Sequence, residues 1–141
     1  MHGKLLAAIM AVGLCPLTAA AVTPDEFKIR NTQDLVRLCS VSNDDSLYVA
    51  AIHFCHGFGA GAYQYYQASV SGPEGKPFVC PPDPVPSRNA VLQEFVTWAN
   101  ANPQHNNEPA VESIFRFLAQ KWPCSESPKP SKSAKSTTKS N

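Results

Sequence analysis

The residues able to do chemistry concentrate at one point. His53-Phe54-Cys55-His56 sets two imidazoles around a thiol, and Gly57-Phe58-Gly59-Ala60-Gly61 follows directly. Imidazole and thiolate serve nucleophilic catalysis and transition-metal binding. A catalytic Cys–His pair must share a proton, but adjacent residues on a helix point in different directions, so Cys55 and His56 do not form one. Structural zinc sites draw on Cys-x-x-Cys pairs; here there is none, and Cys39, Cys80 and Cys124 are widely dispersed. Metal capture by His53 and His56 alone is an outside reading. The glycine cluster lacks the Lys-Ser/Thr of a nucleotide phosphate loop, has the wrong spacing for a dinucleotide fingerprint, and follows no strand. Paired carboxylates are confined to Asp25-Glu26 and to Asp44-Asp45, where helix capping accounts for them. These residues predict no enzyme, no cofactor and no metal centre.

Cysteine chemistry points instead to disulfides. Met1 to Ala21 carries His2 and Lys4 ahead of an apolar run, Leu5 to Leu14, and closes on Thr18-Ala19-Ala20-Ala21. That run is too short for a bilayer core of about 30 Å, and the pattern predicts a signal peptide over residues 1–21 with cleavage near Ala21. Cys15 leaves with it. No other segment is apolar enough to span a membrane. An even set remains, Cys39, Cys55, Cys80 and Cys124, in a chain delivered to an oxidising compartment, and it reads as two disulfides with three connectivities open.

After Cys124 the chain turns to Ser, Lys, Thr and Pro, so residues 125–141 are expected to form a disordered tail. The formal charge of +1 hides an asymmetry, because residues 22–124 carry seven Lys/Arg against ten Asp/Glu while the tail is basic. A composition 43% hydrophobic and only 16% charged argues against a wholly disordered chain and against a nucleic-acid binder.

The elements that must position these residues are helical. In Ser87 to Ala101, Leu92, Phe95, Val96 and Ala99 fall at i, i+3, i+4 and i+7, and Ser87 supplies a cap. In Glu108 to Lys121, Val111, Ile114, Phe115 and Leu118 repeat the pattern, with Pro109 in the first turn and Pro123 as the stop. The short connection Asn102-Pro103-Gln104-His105-Asn106-Asn107 makes these two an antiparallel pair. Upstream, a short helix ends near Cys39, and a longer one runs from about Leu47 to Ala68 behind the caps Asn43 to Ser46. Its face Tyr48, Ala51, Ile52, Cys55, Gly59, Ala62 and Tyr66 is mostly small, which suits a packed or dimeric interface. The glycines read as helix–helix contact and should weaken or kink that helix. Of Tyr63, Tyr65 and Tyr66, at least one must face outward. Ser71 to Pro86, with six prolines, is an ordered non-helical excursion. The expected fold is all-α: a small four-helix disulfide-bonded domain over residues 22–124. Antiparallel final helices place Cys80 and Cys124 at one end, which favours Cys80 with Cys124 and Cys39 with Cys55, though the loop before Ser87 is long enough to carry Cys80 elsewhere.

This ordered set resembles the Rap/Tai family of periplasmic immunity proteins, which neutralise type VI secretion amidase effectors. The matching residues are Leu38-Cys39, Cys55-His56-Gly57-Phe58-Gly59-Ala60-Gly61, Phe78-Val79-Cys80-Pro81-Pro82, Trp98, the Asn102-Pro103 turn, and Trp122-Pro123-Cys124. The resemblance implies a periplasmic, homodimeric protein that binds a peptidoglycan amidase effector and occludes its active-site cleft. It also implies an inhibitory loop, placed here at Asn102, Pro103, Gln104, His105, Asn106 and Asn107, with Ser71 to Pro77 as second choice. The basic tail departs from the family pattern. The alternative function is an orphan periplasmic helical protein with a structural, envelope-binding or chaperone-like role.

Overall fold

A computed structural model describes residues 21–125. The expected signal peptide, with Cys15, and the expected tail therefore lie outside the described residues, apart from Ala21 and Ser125. Four α-helices follow one another: α1 (Thr32–Cys39), α2 (Tyr48–Val70), α3 (Arg88–Ala101) and α4 (Ala110–Lys121). Short 3₁₀ turns stand at Glu26–Lys28 and Pro103–His105, and the described residues contain no strand beyond an isolated bridge between Val79 and Pro123. The fold is all-α.

Local chemistry sets the helix starts. The Asn31 side chain accepts from the Asp34 N–H, and the Ser87 hydroxyl accepts from the Ala90 N–H, each satisfying a donor that a first turn leaves free. Pro109 is one residue earlier than expected, at the cap position before Ala110. Upstream of α2, Asp45 does two jobs: Oδ1 accepts from the Leu47 N–H at 2.8 Å, and Oδ2 accepts from the Val22 N–H at 2.9 Å. That second bond ties the start of the described chain to the head of α2.

α1 is the hub, in contact with α2, α3 and α4. Leu35 and Leu38 are fully buried, and Leu35 packs in one cluster with Tyr66, Phe95, Ile114, Phe117 and Leu118. A second cluster joins Val22, Leu38 and Ala51, with Phe27 edge-on to Phe54 at 5.4 Å between centroids. Ile29 bridges the two clusters from a left-handed backbone (φ 42°), a conformation that costs a β-branched residue energy and is offset by burial of its side chain.

α2 runs unbroken through its glycines. Only Gly59 meets α3, with room for a methyl group 3.6 Å from Leu92 Cδ2, whereas Gly57 and Gly61 face open space. The expectation of helix–helix contact along the whole glycine cluster is therefore corrected to one position, because the other two sit on the outer side of the helix. Past the end of α2 the chain doubles back so tightly that a Cβ on Gly75 would lie 2.0 Å from the Val70 carbonyl oxygen, so glycine is required there.

Cys39 pairs with Cys55, and Cys80 with Cys124. The first joins the end of α1 to the buried side of α2. The second joins the proline-rich excursion to the residue just past α4. Antiparallel packing of α3 and α4 shows in their contacts: Glu94 pairs with Lys121, while Trp98 packs on Phe117.

Candidate functional site

The segment 102–107 closes the end of the α3–α4 pair and is held from three sides. Below it, α1 presents the free N–H groups of its first turn. Thr32 donates its N–H to the Glu108 carbonyl at 2.8 Å, and Gln33 donates to the Asn106 carbonyl at 3.1 Å. The loop and the residue that follows it thus cap α1 with one carbonyl each, which satisfies donor and acceptor together. The Thr32 hydroxyl also donates to the Glu108 carbonyl at 3.0 Å and lies 2.7 Å from the Ser113 hydroxyl, fully inside the protein.

From the α3 side, Trp98 stacks flat on His105, with centroids 5.4 Å apart and the rings only 6° from parallel. The indole N–H donates to Gln120 Oε1 at 2.8 Å, which fixes the plane on which His105 rests. Asn102 donates its side-chain amide to the Trp98 carbonyl at 2.8 Å and so closes the end of α3, while Gln104 reaches Asn102 Oδ1 at 3.2 Å.

The third side is electrostatic. His105 Nδ1 lies 2.8 Å from Glu108 Oε1, and Arg116 donates to both Glu108 and Glu112. The hydrogen bond from His105, with the charge of Arg116 adding to it, holds the Glu108 carboxyl below its ordinary range. A similar anchor stands near the start of the described residues, where bonds from the Thr23 hydroxyl and N–H and from Arg37 bring Glu26 down to about 2.

Of the six predicted loop residues, Pro103, Gln104 and Asn107 are exposed, while Asn102, His105 and Asn106 are half-buried and do the anchoring. Sequence reasoning missed the anchors outside the loop: Thr32, Trp98, Glu108, Ser113 and Arg116. Trp98 stands among the residues that carry the family resemblance, but its flat stack on His105 had no sequence signal. The second-choice segment, 71–77, is an exposed turn closed by a bond from Gly75 N–H to the Gly72 carbonyl.

The cysteine–histidine cluster separates. Cys55 is buried and bonded to Cys39, His53 is exposed and His56 half-buried, and no group of three His, Cys, Asp or Glu able to hold a metal occurs among the described residues. Tyr66 is buried, with its hydroxyl accepting from the N–H groups of Phe78 and Val79, while Tyr65 is 78% exposed. No described helix is long and apolar enough to cross a membrane.

Comparison with known proteins adds a family model for Rap1a immunity proteins, which matches residues 31–124. That span runs from the cap of α1 to the last cysteine. No curated protein and no solved structure matches the chain.

Proposed function

The chain belongs to the Rap1a immunity protein family, and from that membership we propose that it is a periplasmic immunity protein that binds a peptidoglycan amidase effector of type VI secretion and occludes its active-site cleft with residues 102–107. Two disulfides are consistent with an exported protein. The observation that carries the reading is how the segment is held. The Asn106 carbonyl within it and the Glu108 carbonyl next to it cap α1, its histidine is clamped between Trp98 and Glu108, and its exposed Pro103, Gln104 and Asn107 stay available. A segment already held in place in the free protein loses little conformational entropy when it meets a cleft. Exposed amide side chains offer donors and acceptors that suit an enzyme built to grip peptide.

The oxidised protein, titrated against the amidase encoded beside its gene with release of peptide from isolated sacculi as readout, should inhibit stoichiometrically. Substituting Gln104 and Asn107 together by Ala should weaken inhibition at least tenfold while leaving the unfolding midpoint unchanged. Absence of inhibition by the native protein sinks the proposal; inhibition untouched by the double substitution moves the contact away from this loop. Homodimerisation belongs to the same proposal and is read by sedimentation equilibrium.

A further inference from the structure

Toward the opposite end of α3 from the loop, the helices leave an apolar cleft of about 280 Å³. Its floor is the core itself, Phe95, Phe117 and Leu118; Ala60 of α2 and Leu92 of α3 form its walls, and Val85 of the proline-rich segment forms its lip. Val85 is 66% exposed, so hydrocarbon stands in water at the mouth. The volume lies near the lower edge of the roughly 300–1,000 Å³ typical of ligand clefts.

Two observations narrow the occupant. The groups lining the cleft that can carry a positive charge are Arg88 and His56, and no carboxylate lines it. Arg88 is exposed and forms no ion pair among the described residues, unlike Arg30, Arg37 and Arg116, which all do. The walls on α2 and α3, moreover, are helices whose backbone groups are already bonded within themselves, and Pro81, Val85 and Pro86 add to the lining. The polar side chains that line the cleft, Tyr63, Gln64 and Gln67, could meet only some of the amides of a peptide strand, and with no open strand edge to pair with, the remaining amides would lose water and find no partner. A hydrocarbon chain carries no such groups.

We propose that this cleft binds a single-chain fatty acid, with the acyl chain on the floor of Phe95, Phe117 and Leu118 and the carboxylate paired with the Arg88 guanidinium. The site is separate from the loop and owes nothing to amidase inhibition, so each can fail alone.

Isothermal titration of the oxidised protein with sodium decanoate, below its micelle threshold, tests it, with decanol as the uncharged probe. One decanoate per chain is expected, with decanol binding at least about tenfold more weakly because it lacks the charge-assisted bond. Arg88→Glu should weaken decanoate at least about tenfold without changing decanol, and Ala60→Phe, which fills the space between the walls, should remove both. Because Arg88 is exposed, its substitution reads out even if Ala60→Phe does not fold. No decanoate binding, or binding indifferent to Arg88→Glu, overturns the proposal. So does a dimer in sedimentation equilibrium that Ala60→Phe dissociates, since the cleft then belongs to a second copy.

Discussion

Two non-helical connections flank α3, and they are held in opposite ways. Residues 102–109, after it, are pinned by many weak interactions: carbonyls capping α1, a ring stack, an ion-pair cluster around Glu108. Residues 71–87, before it, make few hydrogen bonds of their own and are fixed at isolated points: the Cys80–Cys124 bond, the Cys80 N–H on the Trp122 carbonyl, and the Tyr66 hydroxyl under Phe78 and Val79. The difference follows from composition. A segment with six prolines loses an N–H donor at each of them and resists helical dihedrals, so it needs covalent and side-chain fixation. A polar segment rich in asparagine can be woven in through its backbone.

The largest effect should come from cutting the covalent point. Removing the Cys80–Cys124 bridge by paired serine substitution frees a loop with a sequence separation of 44 and should cost about 4 kcal/mol in denaturant unfolding, against about 3 kcal/mol for Cys39–Cys55 with a separation of 16. If both pairs cost the same, or the order inverts, chain entropy is not what the bridge supplies to the proline-rich strap, residues 71–87. Next comes Tyr66→Phe, which leaves the buried Val79 N–H without an acceptor at about 1–3 kcal/mol and should speed hydrogen exchange in the strap while leaving the loop protected.

On the loop side, His105→Ala removes one of several anchors and should cost only about 1 kcal/mol, with faster exchange at the Gln33 amide bonded to Asn106. A larger loss would mean that the loop, too, hangs on a single point. The mildest perturbation is acid. Glu108 is held below its ordinary range, so its contribution is present above that range and fades as pH falls through its folded value. Glu26, at about 2 against an ordinary 4.5, behaves in the same direction. As pH falls below about 4.5, amide protection, corrected for the slower intrinsic exchange in acid, should drop in the loop and, down to about 2, in the segment before α1, while Val79 stays protected; loss of protection at Val79 first would contradict the contrast.

Much of this was legible without coordinates where the signal is local. Ser87 and Asn31 cap because a hydroxyl or amide before a first turn has an N–H within reach, and the stripe through Leu92, Phe95 and Ala99 had one face to bury. Antiparallel closure of α3 and α4 favoured the disulfide pairing observed. The role of α1 as hub escaped, since an eight-residue helix with few apolar positions carries no mark of centrality. The uneven fate of Gly57, Gly59 and Gly61 escaped too, because which side of α2 meets α3 depends on the packing of partners distant in the chain.

For the candidate site, the sequence by itself determined that a short polar segment would join two antiparallel helices, since turn residues and helix periods act over neighbouring positions. Only the tertiary structure decided that this segment would be anchored from several sides. Its anchors, Thr32 and Gln33 on α1 and Trp98 on α3, meet it across the fold, and no local propensity encodes a hydrogen bond between residues as far apart as Thr32 and Glu108.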